Sequence, residues 1–250
     1  MNAKEKIGKL FSELAHGDDF DKIEAAFELA KFGIWDGMDI LLNALNHSDW
    51  ERKAEAINYL GRIGVYKAID RIGNICLTSK LDTLKNESIF ALQSIGNPKG
   101  IPFLLEALKE EEPEIRSCTR VALHRVLGEE IFPILDPEDE EIMEESSKRR
   151  KIYLKNADVI KEWWDLKKYS FIPNKTYFFG SFGSPDIILE IIKKIDIDET
   201  EYFFSLLEDW TGKNFGIPSN ESIRKWEAWI AKNRTKFIPG ERYFYGYQVN

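Results

Sequence analysis

Cysteine is close to absent. Cys76 and Cys118 are the two thiols in 250 residues, enough for one bridge at most and too few for a metal cluster. A reducing cytoplasm is the expected compartment. Histidine is as sparse: His16, His47 and His124 lie far apart, none with a Cys or His at metal-ligand spacing, so no metal or cofactor is expected. No apolar run approaches the ~18 residues of a membrane helix. Lys4, Glu5, Lys6 and Lys9 interrupt the first residues, which argues against a signal peptide, and Ile7, Leu10, Phe11 and Leu14 fall there at helical spacing. A basic surplus is missing too. With 35 Lys+Arg against 43 Asp+Glu the net charge is -8, which opposes nucleic acid, whose phosphates need a clustered positive surface. No catalytic motif emerges. Thr211-Gly-Lys-Asn-Phe-Gly216 lacks the paired glycines and the Gly-Lys-Ser/Thr order of a phosphate loop. No carboxylate pair carries a reason for a raised pKa. The expectation is a protein that is not an enzyme.

What is present is an ordinary globular composition, 43% hydrophobic and 31% charged, too apolar for a disordered chain. The charge is unevenly placed. Residues 1–128 carry 17 bases and 20 acids, residues 146–250 carry 18 and 14, and residues 129–145 carry nine acids and no base. That acidic stretch runs straight into Lys148, Arg149, Arg150 and Lys151. It divides the chain into a first segment (1–128), a linker (129–150) and a second segment (151–250). The linker reads either as a solvated connection whose basic end neutralises its acidic end or as a lure for a basic partner.

An internal repeat emerges when glycines are aligned. Gly33, Gly64, Gly96 and Gly128 are spaced 31, 32 and 32 residues apart. One residue before each stand Phe32, Ile63, Ile95 and Leu127; four before stand Leu29, Leu60 and Leu92, with His124 breaking the fourth copy. Seven before come Ala26, Ile57, Ile89 and Val121, and eight before come Ala25, Ala56 and Ser88, with Arg120 the exception. These offsets trace one apolar stripe on a helix that glycine then stops. The pattern predicts helices over Ala25–Phe32, Ala56–Ile63, Ser88–Ile95 and Val121–Leu127. Met38–Leu45, Ala68–Ile75 and Ile101–Leu108 supply an antiparallel helix before each later copy.

A helix pair of ~30 residues cannot bury its stripe alone, so the units must stack into an α-solenoid. Ankyrin and tetratricopeptide signatures are missing. The copies, with Asp49-Trp-Glu-Arg52, Ala56, Leu60-Gly-Arg-Ile63-Gly64, Pro113-Glu-Ile-Arg116 and Ala122, resemble the short bacterial HEAT-like repeat also found in phycobilisome-lyase-like proteins. The resemblance covers residues 20–128. It implies an all-α solenoid of HEAT-like helix pairs and is nearly silent on function.

Residues 151–250 hold 21 of the 32 aromatic side chains, and an offset of 66 explains their arrangement. Trp163, Phe171, Ile172, Pro173, Tyr177, Phe178 and Gly180 match Trp229, Phe237, Ile238, Pro239, Tyr243, Phe244 and Gly246. The segment reads as a diverged, aromatic-rich helical continuation of the repeats, and Trp226–Tyr243 resembles the C-terminal part of bacterial HEAT-repeat proteins. Exact duplication points to buried structural rings rather than a ligand site. Trp163 and Trp229 are expected to be largely buried against Phe171 and Phe237. Tyr177–Phe179 and Tyr243–Tyr245 are β-prone and could pair with each other as a short ribbon.

A second stripe runs roughly opposite the first. Nine residues before the glycines come Glu24, Glu55, Glu87 and Thr119; five before, Glu28, Tyr59, Ala91 and Leu123; two before, Lys31, Arg62, Ser94 and Val126. In HEAT-like solenoids the second helix of each pair usually lines the concave face. Glu24, Glu28, Glu55, Tyr59, Arg62, Glu87 and Phe90 are therefore the candidate partner-binding residues, with the rings as apolar anchors; the bland reading is a solvated face with intrahelical Glu–Lys pairs. The expected function is a protein-binding adaptor or scaffold, with an immunity or secretion-associated protein that captures a basic partner as its specific form. The alternative is an enzyme or nucleic-acid binder. HEAT-like folds include DNA glycosylases with a basic concave face, whereas this stripe is acidic; a chromophore-lyase-like role is the remaining variant.

Overall fold

A computed structural model describes residues 2–128, 146–196 and 200–249, with side chains from residue 154 onward in the second stretch. The acidic segment 129–145 and the side chains of residues 148–151 lie outside the described residues.

Four helix pairs build the first segment: α1 (Ala3–His16) with α2 (Asp19–Ala30), α3 (Met38–Ala44) with α4 (Trp50–Ile63), α5 (Ile69–Thr78) with α6 (Asp82–Ile95), and α7 (Ile101–Ala107) with α8 (Pro113–Leu127). The second members α2, α4, α6 and α8 pack in series. Side-chain caps start two of them, Asp18 accepting from the Asp21 N–H and Asp49 from the Glu51 N–H. Leu29, Leu60 and Leu92 are buried on the expected stripe, as are Ala25, Ala56 and Ser88. The layer is tight. A Cβ on Gly61 would come within 2.6 Å of the Ala91 backbone, so only glycine lets α4 and α6 approach this closely.

Gly64 and Gly96 sit at the ends of α4 and α6 in the left-handed conformation, as a glycine stop requires. The outer copies depart from the register. Helix α2 ends at Ala30 and turns through residues 31–33, so Phe32 is not helical. In α8 the buried stripe is Thr119, Ala122, Leu123 and Val126, one residue earlier than the glycine alignment places it. That shift explains why His124 and Arg120 looked like exceptions. His124 is half-buried, edge-on to Phe179 at 5.1 Å.

The second segment is not a linear extension of the stack. Helix α9 (Ser146–Lys167) packs on α7, and the chain then folds back over the C-terminal ends of α4, α6 and α8 through two hairpins and the helices α10 (Pro185–Ile192), α11 (Glu201–Thr211) and α12 (Asn220–Asn233). The expected single ribbon is two local hairpins. Strand β1 (Tyr177–Phe178) pairs with β2 (Ser181–Phe182), and β3 (Tyr243–Phe244) with β4 (Tyr247–Gln248). Each turns through an aromatic–glycine pair with both residues at positive φ, Phe179-Gly180 and Tyr245-Gly246, the geometry of a type I′ turn. A two-residue turn closes each strand on its neighbour before the other copy can compete.

The duplication extends to individual bonds. The Ile172 N–H donates to the Tyr177 hydroxyl (2.8 Å) and the Ile238 N–H to the Tyr243 hydroxyl (3.1 Å). Trp163 and Trp229 occupy equivalent places but are half-buried rather than largely buried. Trp229 lies 6.1 Å from Phe237, whereas Phe171 is packed by Trp164 instead of Trp163. Both cysteines are free; Cys76 is buried and Cys118 half-buried.

Candidate functional site

The face of interest lies opposite Leu29, Leu60 and Leu92. At 100° per residue, positions nine before, five before, two before and two after each leucine all fall within about 40° of that opposite side. From the N-terminal to the C-terminal end of the helices, α2, α4 and α6 thus present Phe20, Glu51 and Thr83; then Glu24, Glu55 and Glu87; then Phe27, Asn58 and Phe90; and last Lys31, Arg62 and Ser94.

The C-terminal part of this face is filled by the chain itself. Arg62 donates two hydrogen bonds to Asp209 of α11, Nε to Oδ2 at 3.0 Å and Nη2 to Oδ1 at 2.7 Å. At the other end of α11, the Arg125 guanidinium of α8 lies 4.4 Å from the Tyr202 ring centre and 5.3 Å from that of Phe203. Helix α11 therefore reaches from α8 to α4 across the face. Phe27 is buried beneath the Tyr59 ring, stacked at 4.0 Å, and Phe244 of the second hairpin at 5.5 Å.

The hairpins complete the cover by satisfying helix-end carbonyls that would otherwise lack partners. The Phe179 and Gly180 N–H groups donate to Arg125 and Val126 of α8, and those of Tyr245 and Gly246 to Asp209 and Trp210 of α11. Thr176 Oγ1 donates to the Ile95 carbonyl; 66 residues on, the buried Arg242 donates to the carbonyls of Ile63 (3.0 Å) and Arg62. Burial lowers the Arg242 pKa to about 10.

The N-terminal part of the face remains open. Glu24 is exposed, Glu55 and Glu87 are half-buried, and Phe20 and Phe90 are 46% and 41% exposed. Burial pushes the Glu55 carboxyl up, and the bond it accepts from the Tyr59 hydroxyl (2.9 Å) does not offset this. Burial likewise raises Glu87 despite a hydrogen bond from Asn58. Glu28 differs: burial works to raise it, but hydrogen bonds from Lys31 and Lys6 outweigh that and hold it low.

Of the seven candidates, then, Glu24, Glu55, Glu87 and Phe90 share the open band. Tyr59 borders it with its ring on Phe27, while Glu28 and Arg62 are ion-paired within the chain. Asp209, Arg125 and Phe244 were not anticipated. Of these, Phe244 left a trace in sequence, as the match of Phe178 in the 66-residue duplication. Among the described residues no group of three or more His, Cys, Asp or Glu is placed to hold a metal.

Helix pairs whose second members pack in series define a helical-repeat solenoid. More particularly, residues 7–93, which run from α1 into α6, match the family model described as HEAT repeats. Among solved structures, an engineered protein from the Northeast Structural Genomics Consortium is similar at 18% identity, covering 90% of this chain and 98% of that one. The TM-score of that match is 0.39. No curated protein matches the sequence.

Proposed function

We propose that the protein is a binding scaffold that engages a basic protein partner through the open band of its concave face. The observation that carries this reading is the repetition of one glutamate, Glu24, Glu55 and Glu87, at one register on three stacked helices, left uncovered where the rest of the face is filled. A row of like charges raises the local potential and speeds encounter with a cationic surface. Glu55 and Glu87 are already partly desolvated, so an arriving cation relieves a cost present in the free protein. Phe90 and Phe20 supply apolar area beside the acids. The same acidic row opposes nucleic acid. Capture of a basic effector, as in an immunity or secretion-associated role, is the specific form, which gene neighbourhood would test.

The direct experiment compares the wild type with the triple variant Glu24→Gln, Glu55→Gln, Glu87→Gln. The variant should melt at the same temperature or slightly higher, recover less partner from the native lysate, and show a flatter dependence of recovery on salt. Equal recovery by both proteins overturns the reading.

A further inference from the structure

We infer that the open band receives its partner as an α-helix with Lys or Arg at seven-residue intervals, laid across α2, α4 and α6 alongside α11. This rests on the reading of that band as the partner face and adds the partner's form. The argument begins with pitch. Glu24, Glu55 and Glu87 stand at one register on helices packed in series, and packed helices run with axes about 8–10 Å apart. Seven residues of an α-helix advance about 10.5 Å and return to nearly the same side. A helical ligand can thus meet all three carboxylates from one face. An extended strand covers a similar distance in three residues, but its side chains alternate sides, so the next contact points away.

The second support is continuity with a contact already made. The adjoining part of the same face holds a helix in this orientation: α11 crosses from Arg125 on α8 to Arg62 on α4, held by Tyr202 and Phe203 at one end and Asp209 at the other. There the face is basic and the helix brings the acid. In the open band the face is acidic, so the complementary helix is basic. Phe90, on α6 three residues beyond Glu87, and Phe20, on α2 four residues before Glu24, flank the row and provide apolar contact for such a helix.

The test uses purified full-length protein and three peptides of matched composition in an alanine–glutamine host. One carries lysines seven residues apart, one carries them five apart and so scattered around the helix, and one has the first spacing with a central proline that breaks the helix. Binding is followed by fluorescence anisotropy at low and high salt. The seven-spaced peptide should bind at least ~tenfold more tightly than either control. That margin should vanish in the Glu24→Gln, Glu55→Gln, Glu87→Gln variant, whose circular dichroism is checked against wild type, and shrink in Phe90→Ser. Equal binding of the seven- and five-spaced peptides, or no binding of any, overturns the helical form. If native partner recovery still depends on the three glutamates, the scaffold reading survives that result.

Discussion

The two segments of this protein repeat at different lengths and close their backbones by different means. In residues 1–128 the unit is a helix pair, and α4 and α6 end on their own left-handed glycines, Gly64 and Gly96. In the second segment the unit recurs after 66 residues, and its hairpins supply hydrogen bonds to helix ends far away in sequence, Thr176 to Ile95 and Arg242 to Ile63. A unit that finishes its own helices leaves its outer face free. A unit that finishes other helices must lie on top of them. The open and filled parts of the face opposite Leu29, Leu60 and Leu92 follow from that difference.

The sharpest way to break the comparison is to remove a contact on which both segments depend. Leu60 is fully buried between neighbouring repeats, and Leu60→Ala should lower stability by about 2–5 kcal/mol. A melting temperature indistinguishable from wild type would refute the stacked register. Next comes the long-range capping. Arg242→Ala should cost about 2–4 kcal/mol through lost packing over Trp210 and the loss of both carbonyl bonds. Thr176→Val, which removes the same kind of cap in the other copy, should cost about 1 kcal/mol. Denaturant titrations of the two variants measure the ratio; equal losses would mean that the duplicated positions do not differ as their chemistry implies.

The smallest effect separates the paired and open acids by sign. The depressed pKa of Glu28 means that its contribution is present at neutral pH and lost as pH falls through its folded value, below the unfolded value of about 4.3. Glu28→Gln should therefore destabilise the neutral protein, with the difference fading in acid. Glu55 and Glu87 are raised, so each is unfavourable above its folded pKa, and the penalty disappears as pH falls through that value toward the unfolded one. Glu55→Gln should stabilise at neutral pH and match wild type in acid. Melting curves across that range check both; the same sign for both variants would contradict the assignment.

The solenoid was legible because it is written in local periodicity. Apolar residues at helical offsets and a terminal glycine are short-range signals, and they located the cores of α4 and α6 and the buried leucines. They failed where tertiary packing set the helix end, as at Ala30, and where a one-residue shift entered the fourth copy. Three of the seven candidate residues, Glu24, Glu55 and Glu87, fall in the open band because one register repeated on stacked helices stays one row. Arg62 shows what periodicity omits. Its partner, Asp209, is an ordinary acid in an ordinary helix, and nothing in its sequence neighbourhood marks a contact 147 residues away. The hairpins were half legible: aromatic duplication announced two equivalent structures, but whether the strands paired with each other or locally depended on positive φ at Phe179 and Tyr245, residue types that rarely signal such turns.

The long-range caps also govern how the molecule comes apart. An array in which each unit touches only its neighbours can fray from an end, one repeat at a time. Here the ends of α4, α6 and α8 are tied to residues between 176 and 246, so a repeat in the middle of the stack cannot open without releasing a hairpin, and α11 cannot leave without exposing two repeats. The tie converts a linear chain of weakly coupled units into one cooperative block, at the expense of folding speed, because those contacts join residues more than fifty positions apart.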